Sequence, residues 1–296
     1  MASCILTVVS EERTGESSSI DGTGSENVPE TPGRRVWFGC LFFGLAASLY
    51  YLVVEIYLLG GELGFPLDDS WIHLQFARNL AGGEGLSFNP GVPVPGSTAP
   101  LWTALLSLVF FLPGNPLFWT KLFGVVLYGI GGVLTYRLAR EMRLERWSAG
   151  LAMVVTLATS WLVWSALSGL EISLFVVLSL GGMMLHLRER RDPDRFPLSL
   201  PVLALGLLAR PEAVLLLAAA VVDRLLLFRA VPGGALRWTP PHWRRWILAL
   251  GIAAVIVTPV LIFNLSVTGS ILPTTFGAKS GGVARFLPEM GYLFTV

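Results

Sequence analysis

Six ionisable residues stand apart from the basic clusters of this sequence: the pair Asp68 and Asp69, then Glu171, then Arg210 and Glu212 on either side of Pro211, and Lys279. At a membrane surface, carboxylates facing cations suit the transfer of a group from an anionic lipid carrier. Arg and Lys can hold a phosphate leaving group, Arg with a fork of donors. A carboxylate can take the proton of an acceptor hydroxyl as it attacks. Adjacent carboxylates can instead hold a hard divalent cation that neutralises the phosphate. Each residue also has a plain structural reading. Pro211 breaks a helix, so Arg210 and Glu212 can simply end two helices. Glu171 can complement a helix dipole.

The elements that must position these residues are membrane helices. Of 296 residues, 53% are hydrophobic and 14% charged, against roughly 25% charged in a soluble domain. A net charge of +1, with no basic patch among aromatics, argues against a nucleic-acid partner. Cys4 and Cys40 fall in a polar tail and an apolar stretch, implying neither a disulfide framework nor a metal cluster. Residues 1–35 lack apolar periodicity and read as a disordered tail, not a cleaved leader. Residues 36–296 read as one polytopic membrane domain, with apolar segments at 36–59, 99–112, 116–136, 147–165, 170–187, 197–209, 211–228 and 246–267. A spanning helix needs about 20 such residues, so 99–112 and 197–209 are short. The expected fold is all-α, a multi-pass bundle of about seven to eight membrane helices.

Arginine placement orients the bundle. Arg34 and Arg35 precede the first span, and further clusters lie at Arg137/Arg140/Arg143/Arg146, Arg188/Arg190/Arg191/Arg195 and Arg224/Arg229/Arg237/Arg244/Arg245. Placing all of them inside makes the N-terminus cytoplasmic. It puts 61–98, 168–171, 210–212 and 269–285 on the outer side. It also requires that 99–112 does not cross fully, or that it joins 116–136 as one broken crossing. All six singled-out residues then share the outer face.

The loop 61–98 is the richest of these outer segments. After Asp68 and Asp69 comes an amphipathic juxtamembrane helix, with Ile72, Phe76 and Leu80 on one side and Ser70, His73 and Arg78 away from them. Asp69 or Ser70 is its expected N-cap, which leaves Asp68 unassigned. Beyond it, a turn-rich run of Gly, Pro and Asn specifies more backbone than a simple connector needs.

These residues resemble polytopic glycosyltransferases of the GT-C type that use polyprenyl-phosphate-linked sugars, in particular the bacterial arabinofuranosyltransferase and mannosyltransferase-like branch. The likeness is carried by DDSWIHLQFARNLAGGEGLSFNPGVPVPGSTAPLW at 68–102, SGLE at 168–171, ARPE at 209–212 and GSILPTTFGAK at 269–279, in that order. The resemblance implies an inverting transfer of a sugar to an envelope glycan, lipid or protein acceptor at the outer face of a bacterial inner or plasma membrane. It implies that 61–98 is the catalytic loop, that Asp68 is the base, and that Asp69 is its partner or a metal ligand, with a divalent ion as a candidate cofactor. Glu171 would line the same cavity with Glu212 beside it, and Arg210 and Lys279 would face the donor phosphate. The sequence departs from the family pattern at Pro95, where a Glu is usual, at Ala99, where an Asn is usual, and at Gln75, where the loop helix carries an Arg. Those changes bear on donor and acceptor specificity. The chain stops at Val296, soon after the fourth motif, so a piece of a longer protein is expected.

Other features add little chemistry. His73, His186 and His242 show no metal-ligand spacing; Asp69 with His73 offers two ligands at most. Trp102, Trp119, Trp147, Trp161, Trp243 and Trp246 fall at span ends and read as interface anchors, and Trp71 either anchors or stacks on a sugar. Glycines at 129, 131, 132, 181 and 182 permit close helix packing. The absence of a nucleotide fingerprint fits a lipid-linked donor. Two rival readings are a transporter or flippase for a lipid-linked substrate, which predicts charges at mid-membrane and an inverted repeat, and an inactive truncated paralogue.

Overall fold

The computed structural model describes residues 34–192, 194–226, 228–230, 236–238 and 242–271. Lys279 and most of its motif, Arg285, residues 1–33 and the Pro232–Gly233–Gly234 loop lie outside them. Apolar runs bounded by Pro, Gly and Arg become helices: α1 (Arg34–Leu58), α2 (Asp68–Ala81), α3 (Pro100–Ser107), α4 (Pro116–Glu141), α5 (Arg146–Ala158), α6 (Ser160–Leu167), α7 (Ile172–Arg191), α8 (Ser199–Ala209), α9 (Ala213–Leu225) and α10 (Trp243–Thr268). A small antiparallel hairpin, β1 (Phe228–Ala230) with β2 (Leu236–Trp238), links α9 to α10. The expected all-α helical bundle is what forms.

Among the described residues, α4, α7 and α10 are long and apolar enough to cross a membrane, and the α5–α6 pair makes a fourth if it is one bent span. Phe42–Leu58, Pro100–Phe111 and Ser199–Ala209 are apolar but shorter, so length alone does not reach seven or eight. The short 99–112 segment is α3 followed by a 3-10 turn, Leu108–Phe111. Pro116 then opens α4 at a position that needs no donor, and the Asn115 side chain caps Leu117 N–H at 2.9 Å. The segment expected at 147–165 is not one straight helix: α5 and α6 bend by 54°. Thr159 sits at the break with extended backbone, φ −69° and ψ 106°. Its hydroxyl bonds Val155 C=O and that of Thr156 bonds Ala152 C=O, a local competition with the helix ladder that favours bending.

Side-chain pairs reveal the helix directions. Glu141 at the end of α4 receives Arg188 at 2.6 Å and Arg191 at 2.7 Å from the end of α7. Asp223 near the end of α9 receives His186 and Arg190, so α4, α7 and α9 run parallel. Glu189 of α7 instead binds the Ser199 N–H that starts α8, which therefore runs back. The basic clusters gather at this end, where His242 and Arg245 also meet Asp194. The opposite end holds α2, α3, the starts of α4, α7 and α9, and the end of α8.

Among the described residues, three apolar clusters hold the bundle. One joins Tyr128 and Tyr136 of α4 to Met153 and Leu157 of α5 and Val163 of α6. A second lies beneath the end opposite the arginines and joins Ala77, Trp102, Leu127, Leu174 and Ala209, one each from α2, α3, α4, α7 and α8. The third seats Trp246 and Ala249 of α10 on Leu200 of α8. Close approach needs small residues: a Cβ on Gly124 of α4 would collide with the Ala166 backbone of α6, and one on Gly182 of α7 would stand 2.5 Å from Leu203. Two tryptophans are corrected from membrane anchors to core residues, since Trp102 and Trp246 are buried. Each faces a neighbouring helix because its own helix packs tightly there. Trp147, Trp161 and Trp243 are exposed.

Candidate active site

Leu67 is extended, φ −129° and ψ 143°, and the chain turns directly into α2 with Asp68 and Asp69 in its first turn. Two carboxylates there complement the partial positive charge of the helix start. The N-cap is Leu67, without a side-chain cap bond, so neither Asp69 nor Ser70 caps. The inward face also differs from expectation. Ser70, His73, Phe76, Ala77 and Asn79 are buried, whereas Ile72 and Leu80 are half-buried. The helix packs on α3 and reaches the start of α7, so protein partners rather than lipid choose its inner side.

The loop after α2 folds back on the helix. Gln75 donates to Phe88 C=O at 3.1 Å, and Asn79 donates to the carbonyls of Ser87 and Phe88, each at 2.9 Å. Trp71, which is exposed, donates to Phe65 C=O.

Between α6 and α7 the chain turns at Gly169, φ +82°. A Cβ there would stand 2.7 Å from the Phe65 ring, and Trp102 Nε1 donates to the Gly169 carbonyl at 2.9 Å. Phe65 cannot retreat easily, because it packs edge-on to Trp71 and under the Lys121 ammonium. Gly169→Ala is therefore expected to destabilise the protein by about 1–3 kcal/mol, seen as a lowered Tm in detergent micelles; an unchanged Tm would show that the turn relaxes.

That turn delivers Glu171 as the N-cap of α7, 8% exposed. Its carboxylate does not cap its own helix. It accepts a hydrogen bond from Arg210 Nη1 at 3.0 Å and faces His73 Nε2 at 3.6 Å, the latter too long for a full hydrogen bond. Arg210 ends α8 with extended backbone, φ −152° and ψ 133°. It also reaches Glu212, the N-cap of α9, at 2.9 Å. Burial alone would push the Glu171 carboxyl up, but the His73 imidazole, its own backbone N–H and the Arg210 charge outweigh that and hold it below the usual value. The Arg210 hydrogen bond likewise lowers the Glu212 carboxyl, and Glu212 first, against burial, raises the guanidinium.

The structure thus brings Glu171, Arg210 and Glu212 together with His73. Asp69 lies one turn before His73, on the same helix stripe. Asp68 is displaced from that stripe; it is exposed and makes no hydrogen bond or ion pair among the described residues. Adjacent helical positions do not face each other, and among the described residues no group of three or more His, Cys, Asp or Glu is placed so that it could hold a metal ion. The acids present therefore do not by themselves fit a metal cage.

One pair escaped the sequence reading. Lys121 of α4 is buried and holds both oxygens of Glu55 of α1, at 2.8 and 3.0 Å, and Leu167 C=O at 2.8 Å. The signal was available: a lone charge in a long apolar run marks a partner or a function. Beside the pair is an apolar cavity of about 370 Å3, bounded by Tyr51, Leu58, Phe65, Pro66, Trp164 and Leu167. Its walls therefore include the residues just before Asp68 and those just before the Gly169 turn.

Over 270 residues the chain is 28% identical to the terminal beta-(1->2)-arabinofuranosyltransferase of Mycobacterium tuberculosis. The match covers 83% of this chain and 40% of that protein, so the chain spans less than half of its relative. This is a likeness to a glycosyltransferase. No protein-family model matches the chain, and no solved structure matches it.

Proposed function

We propose that the chain is a membrane glycosyltransferase of the GT-C type that moves a sugar from a polyprenyl phosphate to an envelope glycan, lipid or protein acceptor. The observation that carries the reading is the Glu171–Arg210–Glu212 cluster with His73, which links segments far apart in sequence at the end of the bundle opposite the basic clusters. The likeness to an arabinofuranosyltransferase over most of the chain supports it. By the distribution of arginines, that end faces outward and the N-terminus is cytoplasmic.

In this mechanism the acceptor hydroxyl oxygen attacks the anomeric carbon. Its proton passes to the Asp68 carboxylate, the bond from the anomeric carbon to the lipid phosphate oxygen breaks, and polyprenyl phosphate leaves with the electron pair. Attack opposite the leaving group inverts the anomeric centre. Asp68 suits the role because it is exposed and unengaged among the described residues. Asp69, on the His73 stripe, orients the site. Arg210 is committed to two carboxylates, so its part is to hold Glu171 and Glu212 at the sugar, and phosphate recognition falls chiefly to Lys279. No step is routed through a metal.

The test uses sealed vesicles of known sidedness that contain the full chain, a polyprenyl-phosphate pentose or hexose donor in the membrane, and an impermeant pentofuranosyl oligosaccharide. Transfer is expected only with the acceptor on the face opposite the N-terminus, and NMR of the product should show an inverted anomeric centre. No transfer from any donor, or transfer only on the N-terminal face, would sink the reading.

A further inference from the structure

Both acids of the proposed reaction ride on the first turn of α2, and the polar link from that helix to the start of α7 is His73. Its side chain is 5% exposed, and Nε2 points at Glu171 Oε2. The other ring nitrogen, Nδ1, is buried without a hydrogen-bond partner among the described residues, and so is the Ser70 hydroxyl. Ser70 and His73 are three apart, so they neighbour each other on the same buried helix face. Buried polar groups are disfavoured unless they are matched, and an apolar side chain would fill this space without that cost. The polarity here has a direction. A carboxylate can only accept, so the ring nitrogen that faces Glu171 is the one that must carry a proton.

We propose that His73 is a positioning residue that keeps the Asp68–Asp69 turn in register with the Glu171–Arg210 pair. His73 touches no reacting atom in this scheme; it acts through Glu171. What the register does for sugar transfer rests on Asp68 being the base, whereas the docking itself does not. The other charged groups around Glu171 come from elsewhere: Arg210 approaches it from the α8–α9 junction and Glu212 sits behind Arg210. Lys121 is occupied by Glu55 and Leu167.

The experiment compares His73→Gln with His73→Asn in the full chain in lipid nanodiscs. A Gln amide N–H reaches about where Nε2 lies, whereas an Asn amide N–H reaches only the Nδ1 position. Amide hydrogen exchange over residues 68–75 is expected to stay near wild type in His73→Gln and to speed up about tenfold in His73→Asn, with α4 and α7 unaffected in both. The kcat for transfer should fall about tenfold in His73→Asn at unchanged donor KM, and His73→Gln should restore most of it. Equal exchange over 68–75 in the two variants overturns the proposal, whether both match wild type or both are loosened. If no form transfers sugar, wild type included, yet the Gln–Asn difference in exchange persists, the docking role stands and the glycosyltransferase reading falls.

Discussion

Asp68→Asn is expected to lower kcat for sugar transfer by about 10²–10⁴-fold, the range that positioned proton transfer supplies, while the protein folds as before. The substitution keeps shape and removes the ability to take a proton. Asp68 is exposed and has no hydrogen bond or ion pair among the described residues, so losing its charge breaks no contact. The structural cost among the described residues is a weaker interaction with the start of α2, where Asp69 remains to complement the dipole. Asp69 differs in being engaged, so Asp69→Asn should lower activity and stability together. The decisive measurement pairs initial rates with thermal unfolding for both variants. An Asp68→Asn enzyme that keeps its rate to within a few-fold would place the base elsewhere, with Asp69 next in line.

The helix boundaries were legible because the chain marks them with residues whose physics is local. Pro116 opens α4 and Arg191 ends α7, each within a few residues of where apolar periodicity and charge placed the span. The Pro113-Gly114-Asn115-Pro116 interruption was read as splitting 99–112 from 116–136, and α3 and α4 are separate helices on either side of it. What was not legible depended on partners distant in sequence. Trp102 looks like an interface anchor until the Gly169 carbonyl arrives from 67 residues away. The inner face of α2 looked apolar and lipid-directed, yet the start of α7 turns its Ser70–His73 side inward. The bend at Thr159 comes from hydroxyls competing for carbonyls within a segment whose hydropathy alone suggests one helix. In the candidate site, residue types and a shared end could be read from sequence, but not the pairing. Arg210 was singled out as a cation for a phosphate, and its bridge between the Glu171 and Glu212 carboxylates was not read from the sequence.

Lys121→Met is expected to be the most destabilising single change, at about 3–5 kcal/mol, the usual cost of removing one partner from a buried ion pair. Glu55 lies 66 residues away on another helix, and its side chain is 21% exposed beside an apolar cavity, so it would keep a charge with little water to replace the ammonium. The loss extends beyond the pair. Lys121 also satisfies Leu167 C=O at the end of α6 and lies 5.0 Å from the centre of the Phe65 ring. Those two residues flank the Gly169 turn that presents Glu171, so the change should loosen the site as well as the α1–α4 contact. The double substitution Glu55→Gln with Lys121→Met removes the stranded charge and should recover much of the lost stability, because the penalty lies mostly in the unpaired carboxylate. Recovery of transfer should be smaller, since the Leu167 carbonyl still lacks its donor. Unfolding of the three variants in micelles checks this. If Lys121→Met lies within about 1 kcal/mol of wild type, as an exposed pair would, water or lipid headgroups already serve Glu55. The pair would then fasten nothing, and the Gly169 turn would be held by Trp102 alone.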